Sequence, residues 1–371
     1  MKAMISTDMK QINRKVVFDI ARKKRSVTRV ELSEMTGMSG PSIMAIVNEF
    51  IEKGILTVTG KKNGSVGRSP VTMVFNPDVL MSVGIEFEGN NLSVGLVNLD
   101  GEIRFQTMAK APSNLGDSFF EALCKSIDKL TAIAEKEGLH YSGIGFGIPG
   151  AVNPEERIVH FAPYVGVLEP VDISEQIEKL ENRYHTPVFI ENDVNASAIG
   201  EYYVRQIQEE TPDILYISIG AGIGAGIILD GELRHGGRGM CGEIGYSLRD
   251  TKGEVSRRQT GWLEKNISYE TLCQKFEDYR TNGKVSGEMA AYVTEILCPF
   301  IANLVNTLDI NQVVIGGQLM LDGGSFLLDE IRESVQKLTL SEVVIQSSTT
   351  EYTGVIGSAL MASNKLWNTI L

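Results

Sequence analysis

Apolar residues recur at helical spacing from Asn13 to Lys24, with Val16, Val17, Ile20 and Ala21 on one face, and predict a helix there. A second short helix fits Arg29 to Met35. The polar stretch TGMSGPS follows, with Gly37 suited to a turn and Ser39 suited to cap the next helix. That third helix is predicted from Pro41 to Lys53, because proline is tolerated in a first turn. Its inward stripe is Ile43, Ile46, Val47, Phe50 and Ile51, and Gly54 ends it. Ile55–Thr59 and Pro70–Phe75 then read as two strands around a glycine-rich tip, KKNGSVGRS. Helix, glycine turn, helix and hairpin predict a winged helix-turn-helix domain over residues 1–76.

After Asn76-Pro77 the pattern changes. Met81–Glu86, Leu92–Asn98 and Glu102–Ala109 read as strands joined by GN and DG turns. A helix follows over Asp117–Glu137 with Phe119, Phe120, Leu123, Ile127, Leu130 and Ala134 on one side, then a buried strand, SGIGFGIPG. The order recurs with strands Ile214–Ile219, Gly224–Leu229 and Glu232–His235, then helices and the strand QVVIGG. The expected class is α/β, with two similar lobes over about 77–195 and 196–371 forming one body, 77–371. Such lobes hold ligands in the cleft between them.

Charge divides the chain at the same place. Met1–Phe75 holds 13 Lys/Arg against 6 Asp/Glu, while Asn76–Leu371 holds 22 against 41. A basic module on an acidic body points to a polyanion at one end only. The net charge of −12 argues against nucleic-acid binding by the whole surface. No apolar run approaches the roughly 20 residues of a membrane span, and the first residues lack the apolar core of a signal peptide. Cys124, Cys241, Cys273 and Cys298 are scattered, so neither disulfides nor a zinc knuckle is indicated and a reducing cytoplasm is the expected compartment.

At the basic end, Ser39, Pro41, Ser42, Met44, Ala45 and Asn48 would form the outward face of the third helix. Asparagine can read adenine, and methionine or alanine can touch a thymine methyl. No arginine lies on this face, so guanine readout is expected to be weak. Lys61, Lys62 and Arg68 would hold phosphates from the wing, or Arg68 would enter a narrow minor groove. The alternative is a small helical bundle for protein contacts, with Arg22–Arg25 as a solvated charge run.

Four motifs in the body carry chemistry: IENDVNA with Asn192 and Asp193, IGAGIGAG over Gly220–Gly226, HGGRGMCGEIGY with Glu243, and TGWLE ending in Glu264. With the VVIGG strand and the late GSALMA segment, they resemble the ROK family of repressors and sugar kinases. The resemblance spans nearly the whole chain and includes GRxP at the wing, here Gly67-Arg68-Ser69-Pro70. It implies an actin-like, hexokinase-like body behind the winged helix. It also implies that Asp193 is the position of the kinases' general base, a carboxylate able to take a proton from a sugar hydroxyl. By the same resemblance Asn192, Glu243 and Glu264 would bind hydroxyls, with Gly150 and Asn153 bordering the pocket. Asn192 and Asp193 would equally serve as caps of the following helix.

The phosphate end departs from the kinase pattern. Where family kinases have DxGGT, this chain has Glu86, Glu88 and Asn90 at the Asp, first Gly and Thr positions, and Ala221 replaces the threonine of the second loop. A carboxylate about 4 Å from a phosphate charge costs roughly 4 kcal/mol at an effective dielectric near 20. The glycines of the second loop are expected to persist for tight turns with positive φ. The family's structural zinc also lacks its ligands: Tyr246 stands at the histidine position, and Val255, Arg257 and Trp262 at the three cysteine positions. Tyr246 would offer the sugar a hydroxyl instead. These features predict a sugar-responsive transcriptional regulator, by resemblance a repressor, acting as a homodimer on operator DNA without cofactor, metal or membrane. A sugar kinase with an appended DNA-binding module is the alternative, and control by a protein partner is a third reading. Xylose, glucose, N-acetylglucosamine and their phosphates all remain open as effector.

Overall fold

The computed structural model describes residues 6–61, 71–88, 90–209, 212–249, 260–321 and 324–370. The N-terminal domain runs α1 (Ser6–Lys24), β1 (Ser26–Val27), α2 (Arg29–Thr36), α3 (Gly40–Glu52), β2 (Leu56–Lys61) and β3 (Val71–Phe75). Thr28 and Glu31 close a reciprocal capping box at the start of α2, and Gly37 ends that helix at φ +68°. Ser39 caps α3, with Pro41 in its first turn. Ile43, Ile46, Val47 and Phe50 of α3 bury against Val17, Phe18 and Ala21 of α1, Leu32 of α2, and Met73 and Phe75 of β3. The strands form an antiparallel sheet in the order β1–β3–β2, so the expected hairpin gains a short third strand. The wing tip, with Lys62, Gly67, Arg68, Ser69 and Pro70, lies outside the described residues.

The body opens with β4 (Met81–Glu88), β5 (Asn91–Asn98), β6 (Ile103–Lys110), α4 (Asp117–Lys136) and β7 (Tyr141–Ile148). A small sheet of β8 (Ala151–Asn153), β9 (Ile158–Phe161) and β10 (Val171–Asp172) follows, then α5 (Ser174–Tyr184), β11 (Val188–Asn192) and α6 (Asp193–Glu209). The second half holds β12 (Ile214–Ile219), β13 (Ile223–Leu229), β14 (Glu232–Leu233), α7 (Trp262–Ile267), α8 (Tyr269–Lys275), α9 (Glu277–Asn282) and α10 (Gly287–Leu308). It closes with β15 (Gln312–Gly316), α11 (Gln318–Leu321), α12 (Gly324–Gln336), β16 (Val344–Ser347) and α13 (Thr353–Ile370). The two large sheets have the orders β11–β7–β4–β5–β6 and β14–β13–β12–β15–β16. In each, three antiparallel strands are followed by two parallel ones, the repeat that the strand pattern predicts.

Three features depart from the sequence expectation or add to it. The lobe boundary at 195/196 falls inside α6, which is one continuous helix. The last helix, α13, returns to the first sheet: a Cβ on Gly84 or Gly145 would lie within 2 Å of the carbonyl oxygen of Val355 or Ser358. Ser358 Oγ donates to the Ile85 carbonyl at 3.1 Å, fixing that approach. Among the described residues one helix, α10, is long and apolar enough to cross a membrane, contrary to the reading of the apolar runs. Its apolar residues, among them Val293, Leu297 and Ile301, lie in the core of the second lobe.

The winged helix is docked on the body. Leu80 and Leu99 complete its apolar core. Arg22, at the end of α1, is buried with its guanidinium 5.2 Å from the ring centre of Tyr203 on α6. Both Arg22 and Arg25 face Asp100, in the turn between β5 and β6.

Candidate sugar cleft and DNA-reading face

The parallel strand β11 delivers Asn192 and Asp193 to the junction with α6, at the mouth of the cleft between lobes. Asn192 Oδ1 accepts from the Asn195 backbone N–H at 2.8 Å and so caps α6. Its Nδ2 donates to the Gly150 carbonyl at 2.8 Å and to Asp193 Oδ1 at 3.1 Å. Both amide hydrogens are thereby engaged, and Asn192 orients Asp193 more than it faces a ligand. Asp193 also accepts from the Val194 N–H at 2.9 Å. Gly150 holds φ +95°, and a Cβ there would lie 2.2 Å from the Phe161 carbonyl oxygen, so the residue closes the cleft wall without a side chain.

The cleft encloses about 380 Å³, the scale of a small-molecule site. Its lining brings Asp193, Glu243, Tyr246 and Glu264 together with Phe161, Pro163 and Val165. Burial pushes the Asp193 carboxyl up to about 7, with Glu88 and Glu243 adding to the shift and the Val194 N–H opposing it. Glu243 is likewise raised to about 7, by burial and then by Glu264. The Tyr246 hydroxyl is pushed up to about 12, chiefly by burial. Glu264 departs from a purely ligand-facing role, because its Oε2 accepts from the Ile223 N–H at 2.9 Å and ties α7 to the glycine loop. Asn153 is not in this cleft: its Oδ1 accepts from the N–H groups of Glu155 and Glu156 at 3.1 Å, and it borders a second cavity.

The phosphate end of the cleft holds carboxylates of the chain itself. Glu86 accepts from the N–H groups of Val355 and Gly354 at the start of α13, yet burial, with Glu88 and Asp193 nearby, raises it to about 8. Glu88 reaches Gly220 so closely that a Cβ there would meet its Oε1 at 2.5 Å. Burial raises the Glu88 carboxyl as well. The glycines of the second loop have another reason than the turns expected: Gly220, Gly224 and Gly226 lack positive φ. Instead, Gly224 and Gly226 lie against Val194 and Ala198 of α6, with a Cβ on Gly226 only 2.3 Å from Ala198 Cβ.

At the family's zinc position, Tyr246 lies beside Phe161 and Trp262 beside Phe300, neither offering a ligand, while Val255 and Arg257 lie outside the described residues. No group of three His, Cys, Asp or Glu among the described residues is placed to hold a metal ion. The residues present do not fit zinc. His235 instead pairs through Nε2 with the buried Glu191 at 2.8 Å. Glu191 in turn accepts from the Asn192 N–H and Asn195 Nδ2. This support of the β11–α6 junction went unnoticed in the sequence, although Glu191 lies within the IENDVNA motif.

On the other domain, Pro41, Ser42, Met44, Ala45 and Asn48 are exposed on α3. Ser39 is exposed too, but its Oγ is engaged as the cap, 2.9 Å from Ser42 Oγ. Lys61 closes β2. Asn48 Oδ1 accepts from Arg29 Nη2 at 3.0 Å, a contact the spacing within α3 does not signal.

This architecture, a winged helix ahead of two repeated α/β lobes, is that of a solved ROK-family transcriptional regulator described as a homolog of the E. coli MLC protein. The two superpose with a TM-score of 0.77 at 22% identity, over 98% of each chain. The body alone resembles the ROK-family glucokinase of Streptomyces griseus, at TM-score 0.63 and 22% identity, covering 76% of this chain and 99% of the glucokinase. Residues 82–365 match the ROK family, and the chain belongs to that family. The xylose repressor of Bacillus subtilis (strain 168) is 31% identical over 272 residues, 73% of this chain and 69% of the repressor.

Proposed function

We propose that this protein is a transcriptional repressor that binds operator DNA as a homodimer through its winged helix and leaves it when an unphosphorylated sugar occupies the interlobe cleft. One observation carries the reading. The sugar end of the cleft keeps Asp193 and Glu243 facing the cavity, whereas Glu86 and Glu88 stand at the phosphate end. Those carboxyl groups oppose both ATP and a phosphorylated effector by the space they occupy and, once ionised, by charge. The likeness to a xylose repressor supports a neutral aldose of that kind. A sugar bridging the lobes shifts the chain toward a closed arrangement, to the extent that it binds that arrangement better. The altered spacing of two winged helices then no longer fits half-sites one DNA turn apart.

A thermal-shift panel of free and phosphorylated pentoses and hexoses, repeated with operator duplex present, tests the reading. A free sugar is expected to raise the melting temperature and release the duplex, and its phosphate to do neither. Asp193→Asn is expected to weaken sugar binding about ten- to hundred-fold by removing a charged hydrogen bond. Release by a protein partner with no response to any sugar would defeat the proposal. The kinase alternative draws on Asp193 at the general-base position and on the likeness to a glucokinase. Turnover of ATP with magnesium and a sugar, abolished in Asp193→Asn, would establish it in place of the repressor reading.

A further inference from the structure

The outward side of α3 carries a guanidinium that belongs to another helix. Arg29 opens α2, and its Nη2 donates to Oδ1 of the exposed Asn48 at 3.0 Å. Its Nε is buried and has no hydrogen-bond partner, so the contact with Asn48 leaves Arg29 incompletely satisfied. An arginine serving only to join α2 to α3 gains little from such a geometry, since a buried unpaired N–H is costly. The bond also changes what Asn48 offers. With one lone pair of its carbonyl already taken by Arg29, the Asn48 amide keeps one acceptor site against its two N–H donors, and the guanidinium adds donors of its own. Adenine in the major groove shows one acceptor and one donor, and asks an asparagine for both its oxygen and its nitrogen. Guanine shows two acceptors, N7 and O6, and asks for donors only.

We infer that Arg29 and Asn48 act as one reading unit whose target is a guanine in the operator half-site, Arg29 donating to the base and Asn48 holding the guanidinium in place. This replaces the expectation that α3 reads adenine and little guanine, and it rests on the winged helix being a DNA-binding module. Ser42, Met44 and Ala45 share the same exposed face, so the unit lies where base edges pass.

The test is selection of duplexes from a randomised pool by the full-length protein. Equilibrium binding to the selected site, and to the same site with guanine changed to adenine, is then measured over a salt series. The native chain is expected to enrich guanine at one position of each half-site and to bind the adenine version about ten- to hundred-fold more weakly. Arg29→Ala and Asn48→Ala are expected to bind the two duplexes alike. Should Arg29→Ala fail to fold, Arg29→Lys decides the matter, because lysine keeps the charge but lacks the planar fork. Two outcomes overturn the inference. One is a base preference that survives loss of Arg29. The other is an equal loss on both duplexes with a salt slope shallower by about one, the signature of a phosphate contact. A native protein that binds no duplex at all would instead sink the DNA-binding reading itself.

Discussion

Asp193, Glu243 and Glu86 are carboxyls held far above their ordinary values of 3.8 and 4.5, near 7, 7 and 8. In the unfolded chain they ionise near pH 4; in the folded cleft they keep their protons until about pH 7–8. Between those limits the folded state binds more protons, so stability falls as pH rises and levels off above about pH 8. Melting temperature is therefore expected to decline from about pH 5 to pH 8, and Glu86→Gln to flatten the upper part of that decline. A scan of calorimetric melts against pH checks both, and a melting temperature that rises over this range would contradict them. At this scale the sequence was readable where a residue acts through its own neighbours. Asp193 falls in a motif of adjacent positions and lines the cleft, while the cap of α6 is its neighbour Asn192. Asn192 was less legible, because what occupies its amide is the Gly150 carbonyl, 42 positions away. Asn153 was placed in the wrong cavity because its side chain closes its own turn instead.

Helices α6 and α13 cross so closely that only glycine fits between them. A Cβ on Gly357 would lie 1.7 Å from the Ala196 carbonyl oxygen, and one on Gly200 would lie 2.4 Å from that of Thr353. Gly357→Ala is expected to destabilise the protein by about 1–3 kcal/mol, the usual cost of overpacking, read as a lower urea midpoint at unchanged slope. The effect should appear with and without sugar, since the contact lies within the scaffold. A long periodic element such as α4 was legible from spacing alone, as were the meanders. The sheet β8–β9–β10 was not, because strands of two to four residues give too little alternation to recognise. Nor was the return of α13 to the first sheet, which depends on Gly84 and Gly145, far away in the chain.

In the whole molecule the two charge regions meet at Arg22. Its guanidinium lies over Tyr203, ten residues along the helix that begins with Asp193, while Tyr203 also accepts a hydrogen bond from Asn364 of α13. What reads as a solvated basic run from Arg22 to Arg25 is thus partly an interdomain joint, invisible to a count of charges. A desolvated cation over an aromatic ring contributes about 2 kcal/mol. Arg22→Ala is expected to loosen the joint, so that calorimetry resolves the winged helix melting ahead of the body in place of one shared transition. A single transition at the original temperature would show that Leu80 and Leu99 suffice.

The two carboxylates at the phosphate end have a consequence for information rather than for chemistry. A sensor that phosphorylated its sugar would erase the message in the act of reading it, and its output would track ATP supply and elapsed time. On the proposed reading, with Glu86 and Glu88 lining the phosphate end of the cleft, bound sugar would only stay or leave, unchanged. Occupancy then follows the present concentration of sugar, and the gene switch it governs resets when the sugar is gone.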